Sequence, residues 1–424
     1  MAWTIVAAIL AFFTLLPLAA MALAWGGFAW RCRHPYPAPH PLPVVAVVLS
    51  LRGADPSLQA CLAGVLAQDY PAYQVHIVVD SAADPAHAVV ASVLARGHAP
   101  NAEVHVDIRR DRSEHCSLKL SAQRQVLTRL DEAVAVVAFL DADSVPAADW
   151  LRVMVAPFAD PLVGAATGIR WAAPADAGLG TLACYVFNGL TFPQRYLYRI
   201  PWGGSLAVRK SALHRSGLID YWSRCFCEDT SAYGPLRAAG LRLAFVPAAT
   251  QINSEPSELA GAGYFMLRQL VCVRLHHVYW LRLLGANAAT VVSFLIACLL
   301  ALLGAVGAVQ SMLGTATQLW KLTAFAIIPA LYCAGLIGAL TVGDHLVRRI
   351  VKAPPRPAGL PRLVLAILVA LHYTTLGLFK AQFARSIDWR GITYDIEGRD
   401  RIRMRTYRPY RGADAGPVAA RSIL

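Results

Sequence analysis

Charge is scarce in this chain. Only 15% of its 424 residues are Asp, Glu, Lys or Arg against 57% hydrophobic, a balance that excludes an ordinary soluble enzyme and puts part of the chain in lipid. Acid is scarcer than base, since 26 acidic side chains face 39 basic ones and leave a formal charge of +13. Such an excess could serve nucleic acid. The arginines, however, gather beside apolar stretches and in the tail rather than interleaving with aromatics on a soluble module, so no nucleic acid is expected and the charge reads as attraction to a membrane surface. Paired C-x-x-C motifs are also missing. The nine cysteines include one C-x-C, Cys225 and Cys227, and no regular framework, which indicates neither a zinc site nor a disulfide scaffold and fits a reducing, cytoplasmic setting.

What is present in quantity is long apolar sequence. Residues 1–30 are uncharged and almost wholly apolar, enough to cross a hydrocarbon core that needs roughly 20 residues. A cleaved leader would carry a basic stretch before its apolar run, and none precedes Trp3. Arg31 and Arg33 follow directly, so the positive-inside rule places the next domain in the cytoplasm of a multi-pass protein, as in a bacterial inner membrane or its equivalent. Residues 31–43 form a Pro-rich linker. From 44 to 263 β-branched runs (Val44–Leu49, Gln74–Val79, Glu103–Ile108, Ala133–Leu140, Val163–Gly168) alternate with amphipathic helical segments, which predicts an α/β domain around a mostly parallel sheet. An interfacial amphipathic helix is expected over Tyr264–Leu284, closing a 264–285 segment. The membrane region 286–384 follows, with about three transmembrane or re-entrant segments near Ala288–Val309, Trp320–Val342 and Leu363–Phe383. Residues 385–424 form a basic tail. Counting single crossings puts that tail outside, whereas Arg385, Arg390, Arg399, Arg401, Arg403 and Arg405 argue for inside, and the last apolar segment could be re-entrant and broken around His372 to Thr375.

The chemistry-bearing residues sit between these spans. Asp141-Ala142-Asp143 ends the run Ala138-Phe139-Leu140. In extended backbone, carboxylates two residues apart share a face and can hold a hard cation such as Mg²⁺ or Mn²⁺ at the strand end, where open α/β sheets bind ligands. A plain acidic turn would look the same, and placement after a buried strand favours the functional reading. Asp80 ends another strand and could bond a base or ribose, or simply turn the chain. Asp84-Pro85-Ala86 reads as a helix cap followed by Pro at the first helical position. Glu228 and Asp229 precede a helical segment, Ser231 to Gly240. They could favour a helix start, or Asp229 could be the general base that inverting sugar transfer requires. Trp202, Gly203 and Gly204 allow a tight turn and close approach of a substrate to backbone, or form an ordinary loop. Arg268, Gln269 and Arg274 lie on the expected interfacial helix, placed either to meet phosphates or to snorkel. His276 and His277 have no ligand partners at useful spacing.

Together these residues resemble the family 2 glycosyltransferases with a GT-A fold, and most closely the ceramide glucosyltransferase branch. The resemblance rests on Leu51-Arg52-Gly53-Ala54-Asp55-Pro56, Asp69-Tyr70-Pro71-Ala72-Tyr73 and Asp84-Pro85-Ala86 near the start, and on Trp389-Arg390-Gly391-Ile392-Thr393-Tyr394 near the end. It implies a GT-A catalytic domain over 44–263 and Asp141 and Asp143 as ligands of metal and diphosphate. It also implies Asp80, Lys119, Trp389 and Arg390 at the donor, Asp229 as base, and an acceptor pocket of Trp202, Gly203, Gly204 and Glu228. The activity implied is transfer of a hexose from a UDP-sugar such as UDP-glucose to a lipid such as ceramide. The family's Q/R-x-x-R-W motif is not intact: Arg268-Gln269 could stand where R-W is expected, or Arg274 could supply the arginine. A processive polysaccharide synthase is the alternative, and erosion of that motif counts against it.

Overall fold

The computed structural model of the chain describes residues 2–96, 101–111, 113–313, 319–351, 356 and 358–410. Its elements in order are α1 (Ala2–Arg33), β1 (Val45–Leu51), α2 (Leu58–Leu66), β2 (Tyr73–Val79), α3 (Pro85–Arg96), β3 (Ala102–Ile108), α4 (Leu118–Leu127), β4 (Val136–Leu140) and α5 (Trp150–Val155). There follow β5 (Val163–Thr167), β6 (Arg170–Ala172), α6 (Leu179–Tyr198), β7 (Ser205–Arg209), α7 (Lys210–Arg215), α8 (Leu218–Tyr221), α9 (Glu228–Ala238), β8 (Arg242–Phe245), β9 (Gln251–Asn253) and α10 (Leu259–His276). The chain ends with α11 (Trp280–Met312), α12 (Ile327–Ile350), α13 (Leu360–Phe383), β10 (Ser386–Trp389), β11 (Ile392–Gly398) and β12 (Arg401–Met404). It divides into two compact units, one of Met1–Phe28, Gly189–Tyr198 and Tyr279–Leu346, the other of Ala29–Asn188, Arg199–Val278 and Val347–Leu424.

The first unit is helical and greasy on the outside. Leu10, Ala297, Leu322, Phe325 and Ile328 pack together, and Trp25 lies 4.3 Å from Phe192 between ring centroids. Large apolar side chains such as Leu295, Leu299 and Leu302 face outward, an arrangement stable against lipid rather than water. Among the described residues four helices are long and apolar enough to cross a membrane: those over Trp3–Arg33, Trp280–Met312, Lys321–Ile350 and Leu360–Phe383.

The second unit is built on a sheet of order β3-β2-β1-β4-β7-β5-β8. β1 to β4 are mutually parallel, β7 runs antiparallel to β4 and β5, and β8 is parallel to β5. Continuous Val/Leu runs form the central strands because both faces are covered: all five residues of β4 are buried. Below the sheet Val47, Leu49, Val75, Ile77, Leu62, Val65 and Trp150 belong to one core. The mostly parallel α/β sheet expected from the alternating pattern is thus present.

Several boundaries differ from the sequence reading. The single helix expected over Tyr264–Leu284 is two, because His277 takes extended backbone (φ −85°, ψ 131°) after α10, and α11 then begins at Trp280. His276 fixes that break, as its ring accepts the Phe226 N–H and pairs with Asp400. The first apolar helix runs on through Arg33, into the expected linker. α13 is continuous across His372 to Thr375, where Thr374 and Thr375 return their hydroxyls to the carbonyls four residues back. No break is present there. The expected basic tail begins as a three-stranded antiparallel sheet, β10-β11-β12, inside the second unit.

Candidate active site

The carboxyl ends of β1, β2 and β3 are level, since Leu51 pairs with Val79 and Val79 with Ile108, while β4 ends two residues short of them, Leu140 pairing with Leu49. The next residues, Arg52, Asp80, Arg109 and Asp141, therefore leave the sheet along one rim, where open α/β sheets bind ligands.

At the β4 end the chain turns at once, so Asp141 and Asp143 lie in a turn rather than on an extended face as the i, i+2 argument assumed. They point to different partners. The Lys119 ammonium lies 2.5 Å from Asp141 Oδ1 and 2.5 Å from Glu228 Oε1. Ser117 caps α4 by accepting the Leu120 N–H at 3.2 Å, which places Lys119 in the first turn. Asp143 Oδ2 accepts from Asn253 Nδ2 at 3.2 Å and lies 3.8 Å from Arg170 Nη2. Glu228 is 1% exposed, and burial first, then the charges of Asp229 and Asp141, raise its pKa to about 6 against the opposing pull of Lys119. Burial works against the charge on Lys119 too, but its two carboxylates outweigh that and raise its pKa, so it stays an ammonium. Burial opposes ionisation of Asp141, yet Lys119 holds its carboxyl below the usual range, whereas burial and then the Asp141 charge raise Asp143.

Asp229 stands next to this cluster at the start of α9. Its Oδ2 accepts the Gly203 N–H at 2.9 Å, and its Oδ1 accepts from Thr230 N and Oγ1 at 2.5 and 3.1 Å. A Cβ at 203 would lie 2.1 Å from Glu228 Oε1, so a larger residue there would have to push the Glu228 carboxylate aside. The Trp202 N–H donates to Thr167 Oγ1 at 3.0 Å, so the Trp202-Gly203-Gly204 turn is tied to β5 on one side and to Asp229 on the other.

The opposite end of the rim is closed by the C-terminal segment. Asp80, with its side chain 2% exposed, accepts from Arg109 Nε and Nη2 at 3.0 and 2.7 Å, from Tyr407 Oη at 3.2 Å, and from Arg52 Nη1. Four donors use all the lone-pair directions a carboxylate offers. The Arg109 guanidinium lies over the Tyr407 ring and that of Arg52 near the Tyr410 ring, while Arg52 Nη2 donates to Arg408 O at 2.8 Å. Tyr410 packs onto Gly53, whose φ of +78° suits glycine and whose missing Cβ would lie 2.6 Å from Tyr410 Cζ. Asp84 accepts the Gly53 and Ala86 N–H groups, so it caps α3 as expected and holds the β1 exit loop.

Trp389-Arg390-Gly391-Ile392 is a two-residue hairpin. Trp389 pairs with Ile392, and Arg390 and Gly391 both have positive φ, 47° and 77°, the signature of a type I′ turn. A non-glycine residue in that conformation is strained by about 1–3 kcal/mol. The strain is offset where the side chain lands, since Arg390 Nη2 clasps Asp55 at 2.9 and 2.7 Å and Nη1 donates to Arg52 O at 2.6 Å. Arg390 also lies within the electrostatic reach of Asp141 and Asp143. Trp389 packs by its ring on Phe226. Tyr394, fully buried, accepts the Leu118 N–H at 3.1 Å and so caps the helix that carries Lys119.

The α10 residues are engaged otherwise. Arg274 donates to the carbonyls of Gln382 and Ala384 at 2.7 and 3.0 Å, fastening the end of α13. Arg268 lies 6.0 Å from the Phe265 ring centroid, and among the described residues no bond joins Gln269 to the D-x-D turn. His276, which has no partners by sequence spacing, finds Cys225 and Asp400 in space, the three offering ligand atoms within 4.8 Å of one another. Its Nε2 accepts the Phe226 N–H at 3.0 Å, so Nδ1 carries the proton given to Asp400 at 2.9 Å. With both nitrogens used, this trio joins the C-terminal sheet to α10.

Asp141 and Asp143 fit a hard divalent cation. They are neighbouring oxygen donors, a cation would relieve the burden on the Asp143 charge, and among the described residues Asp143 Oδ1 has only the long 3.5 Å contact to Ser144 Oγ. Sequence reasoning did not single out Arg109, Arg170, Asn253 or Tyr407. Each is one polar residue without a local pattern, and only the fold brings it to the rim.

A four-strand parallel rim with a D-x-D turn at the β4 exit and an acid pair at the start of α9 defines a GT-A glycosyltransferase dependent on a nucleotide sugar. The family described as Glycosyl transferase family 21 matches residues 3–402, and the chain belongs to it. The resemblance read from the two ends of the sequence therefore holds over nearly the whole chain. No curated protein matches. Similar solved structures include a mannosyltransferase from Pyrobaculum calidifontis in complex with GDP-Man and Mn²⁺, at 18% identity and TM-score 0.46 over 89% of this chain and 98% of that one. Another is glucosyl-3-phosphoglycerate synthase from Mycobacterium tuberculosis, at 11% identity and TM-score 0.34 over 55% and 77%.

Proposed function

We propose that this protein transfers one hexose, with inversion, from a UDP-sugar such as UDP-glucose to a hydroxyl of a membrane lipid such as ceramide. The observation that carries the reading is the cluster at the rim, where Lys119 bridges the part-buried Asp141 and the buried Glu228 and Asp229 stands beside it on a fixed backbone. Asp229 takes the proton of the acceptor hydroxyl as its oxygen bonds to the anomeric carbon, and the carbon–oxygen bond to the diphosphate breaks with its electron pair leaving on phosphate. Mg²⁺ or Mn²⁺ held by Asp141 and Asp143 would supply charge neutralisation to that leaving group. Arg390 faces the same charge from the hairpin tip, in the role the eroded Q/R-x-x-R-W segment of α10 leaves open. Asp80 acts through what it holds, presenting Arg52, Arg109 and the Tyr407 ring to the nucleotide. Trp202, Gly203 and Gly204 bring the acceptor against Asp229.

Membranes containing the protein, given radiolabelled UDP-glucose and extracted with organic solvent, are expected to yield a singly glycosylated lipid. EDTA should abolish the label and Mg²⁺ or Mn²⁺ restore it. No labelled lipid from any acceptor, a high-molecular-mass polymer, or transfer that survives chelation would overturn the corresponding part of this reading.

The membrane path follows from parity. Residues 199–278 and the β10–β12 sheet belong to one compact unit, joined by the bonds of Arg274 to Gln382 and Ala384. The chain between them must return to the side it left, so it crosses an even number of times. α11 and α12 make that pair. α13 packs along α10, with Gly377 against Leu270 and Gly263 against Tyr373, and lies in the interface with its exposed stripe of Leu365, Leu368, Phe379 and Phe383 toward lipid. That path supports a tail on the catalytic side, the side the positive-inside rule would make the cytoplasm. Arg362→Cys and Arg385→Cys should react with a membrane-impermeant maleimide from the same face as Arg96→Cys. Labelling of the first two from opposite faces would show that α13 crosses.

A further inference from the structure

Behind the rim lies a buried polar chain that the mechanism above does not use. His276, at the end of α10 and 1% exposed, accepts the Phe226 N–H on Nε2 at 3.0 Å and gives its Nδ1 proton to Asp400 at 2.9 Å. A backbone N–H can only donate, so the ring is neutral with its proton on Nδ1. A cation among Cys225, His276 and Asp400 would need the Nδ1 lone pair that this proton occupies. Asp400 completes the chain as a carboxylate: burial opposes its charge, yet the bonds from His276 and the Tyr221 hydroxyl hold its carboxyl below the usual range. It stands between β11 and β12 at φ +57°, with its own N–H donated to Leu275 O at 3.2 Å.

What this chain holds is the segment that delivers the acid pair. Cys225 (ψ 162°) and Cys227 (φ −137°, ψ 147°) have extended backbone outside any strand. The N–H of buried Phe226 therefore has no ladder partner, and the imidazole serves in its place. Upstream, Cys225 O accepts the Ser117 N–H at 3.2 Å, at the cap of the helix that carries Lys119. Downstream, Cys227 O accepts from Ser231 Oγ at 2.5 Å, and Glu228 and Asp229 open α9. Each residue of 225–227 is thus bonded, and the middle bond comes from a side chain fifty positions away. If that bond goes, the backbone three residues before Asp229 is free to turn.

We infer that His276 and Asp400 are positioning residues for sugar transfer: Asp400 fixes the imidazole tautomer, the imidazole fixes the Phe226 N–H, and that backbone holds the Asp229 carboxylate at the reacting hydroxyl. Neither side chain touches substrate. The inference rests on the reading of Asp229 as base, and the test separates the two.

The experiment uses the full-length protein in detergent micelles with ceramide, UDP-glucose and Mn²⁺, and measures kcat, both KM values and Tm. Asn and Gln divide the imidazole between them, since Asn places an N–H donor near the position of Nδ1 and Gln an acceptor oxygen near that of Nε2. His276→Asn should lower kcat about a hundredfold, the cost of misplacing a reacting group by about 1 Å. Both KM values should stay within about twofold, because the base acts in the transition state and the D-x-D turn hangs from β4. His276→Gln, which still accepts the Phe226 N–H, should recover most of that loss at a similar Tm. Asp400→Gly, unstrained at φ +57°, lets the ring move its proton to Nε2 against the Phe226 N–H, and should cost kcat about tenfold, the weight of one hydrogen bond. This part-exposed position decides the matter if the His276 variants bind no donor. Equal loss of kcat in the Asn and Gln variants, a raised KM with kcat kept, or full activity in Asp400→Gly overturns the positioning role and leaves the trio a clamp between α10 and the C-terminal sheet. Full activity of Asp229→Asn in the same assay overturns the base reading and the inference with it. A parent that glycosylates no lipid overturns the acceptor reading alone, and release of the donor's sugar to water then carries the same comparison.

Discussion

Asp229→Asn will lower sugar transfer about a thousandfold while donor affinity stays within about twofold. The size follows from what a positioned general base supplies, 10² to 10⁴ in rate, or roughly 4 kcal/mol of barrier for the central value. The side chain is nearly isosteric, and the amide oxygen can go on accepting the Gly203 N–H that Asp229 Oδ2 accepts at 2.9 Å. The turn at Gly203 is therefore kept, and what goes is the ability to take a proton together with the Thr230 N–H bond that Oδ1 accepts at 2.5 Å. Single-turnover transfer against donor binding by calorimetry separates the two effects. Glu228 is the control. It is buried against Lys119 at 2.5 Å, so Glu228→Gln should disturb the ion group more than the proton transfer. Full activity in Asp229→Asn with loss in Glu228→Gln would exchange the roles of the two acids.

Lys119→Met will be the most destabilising single change at the rim, by about 3–5 kcal/mol. The ammonium is shared between Asp141 Oδ1 and Glu228 Oε1, and its removal leaves the buried Glu228 carboxylate beside the part-buried Asp141 carboxylate with no cation between them. Breaking such a group by taking one partner costs far more than the group's net worth, because the remaining charges stay desolvated. In detergent the apparent Tm should fall by roughly 10 °C. The double variant Lys119→Met, Glu228→Gln removes one of the stranded charges and should recover about half of that loss, without recovering transfer. Equal Tm in the single variant and the parent would mean that solvent reaches the cluster and that the ion group holds nothing together.

How far the sequence anticipates this molecule depends on whether a pattern is local. β1, β2 and β4 read out directly because their β-branched runs are covered on both faces. β7, Ser205–Arg209, lacks such a run and was not expected. Its place between β4 and β5 is set by antiparallel bonding to both, a non-local fact. The C-terminal sheet was partly legible: Ile392 and Tyr394, like Ile402 and Met404, alternate with polar residues and are buried, a period of two. The surrounding arginines read as a membrane tail and masked it. Asp141, Asp143, Lys119 and Asp229 were named and are brought to one region, but the two aspartates diverge into a turn that strand geometry could not foresee. Arg274 was placed on the correct helix, and only the fold shows its guanidinium spent on the carbonyls closing α13.

The second unit is sewn from three stretches of chain, and the last stitches are the latest made. Arg390 clasps Asp55, Tyr394 caps the Lys119 helix, and Tyr407 completes the donors around Asp80. A nascent polypeptide that has already made its D-x-D turn still lacks these parts until the stretch after α13 has been made. Translation order thus acts as a clock: the rim around the D-x-D turn is whole only once residues 386–407 have folded onto it.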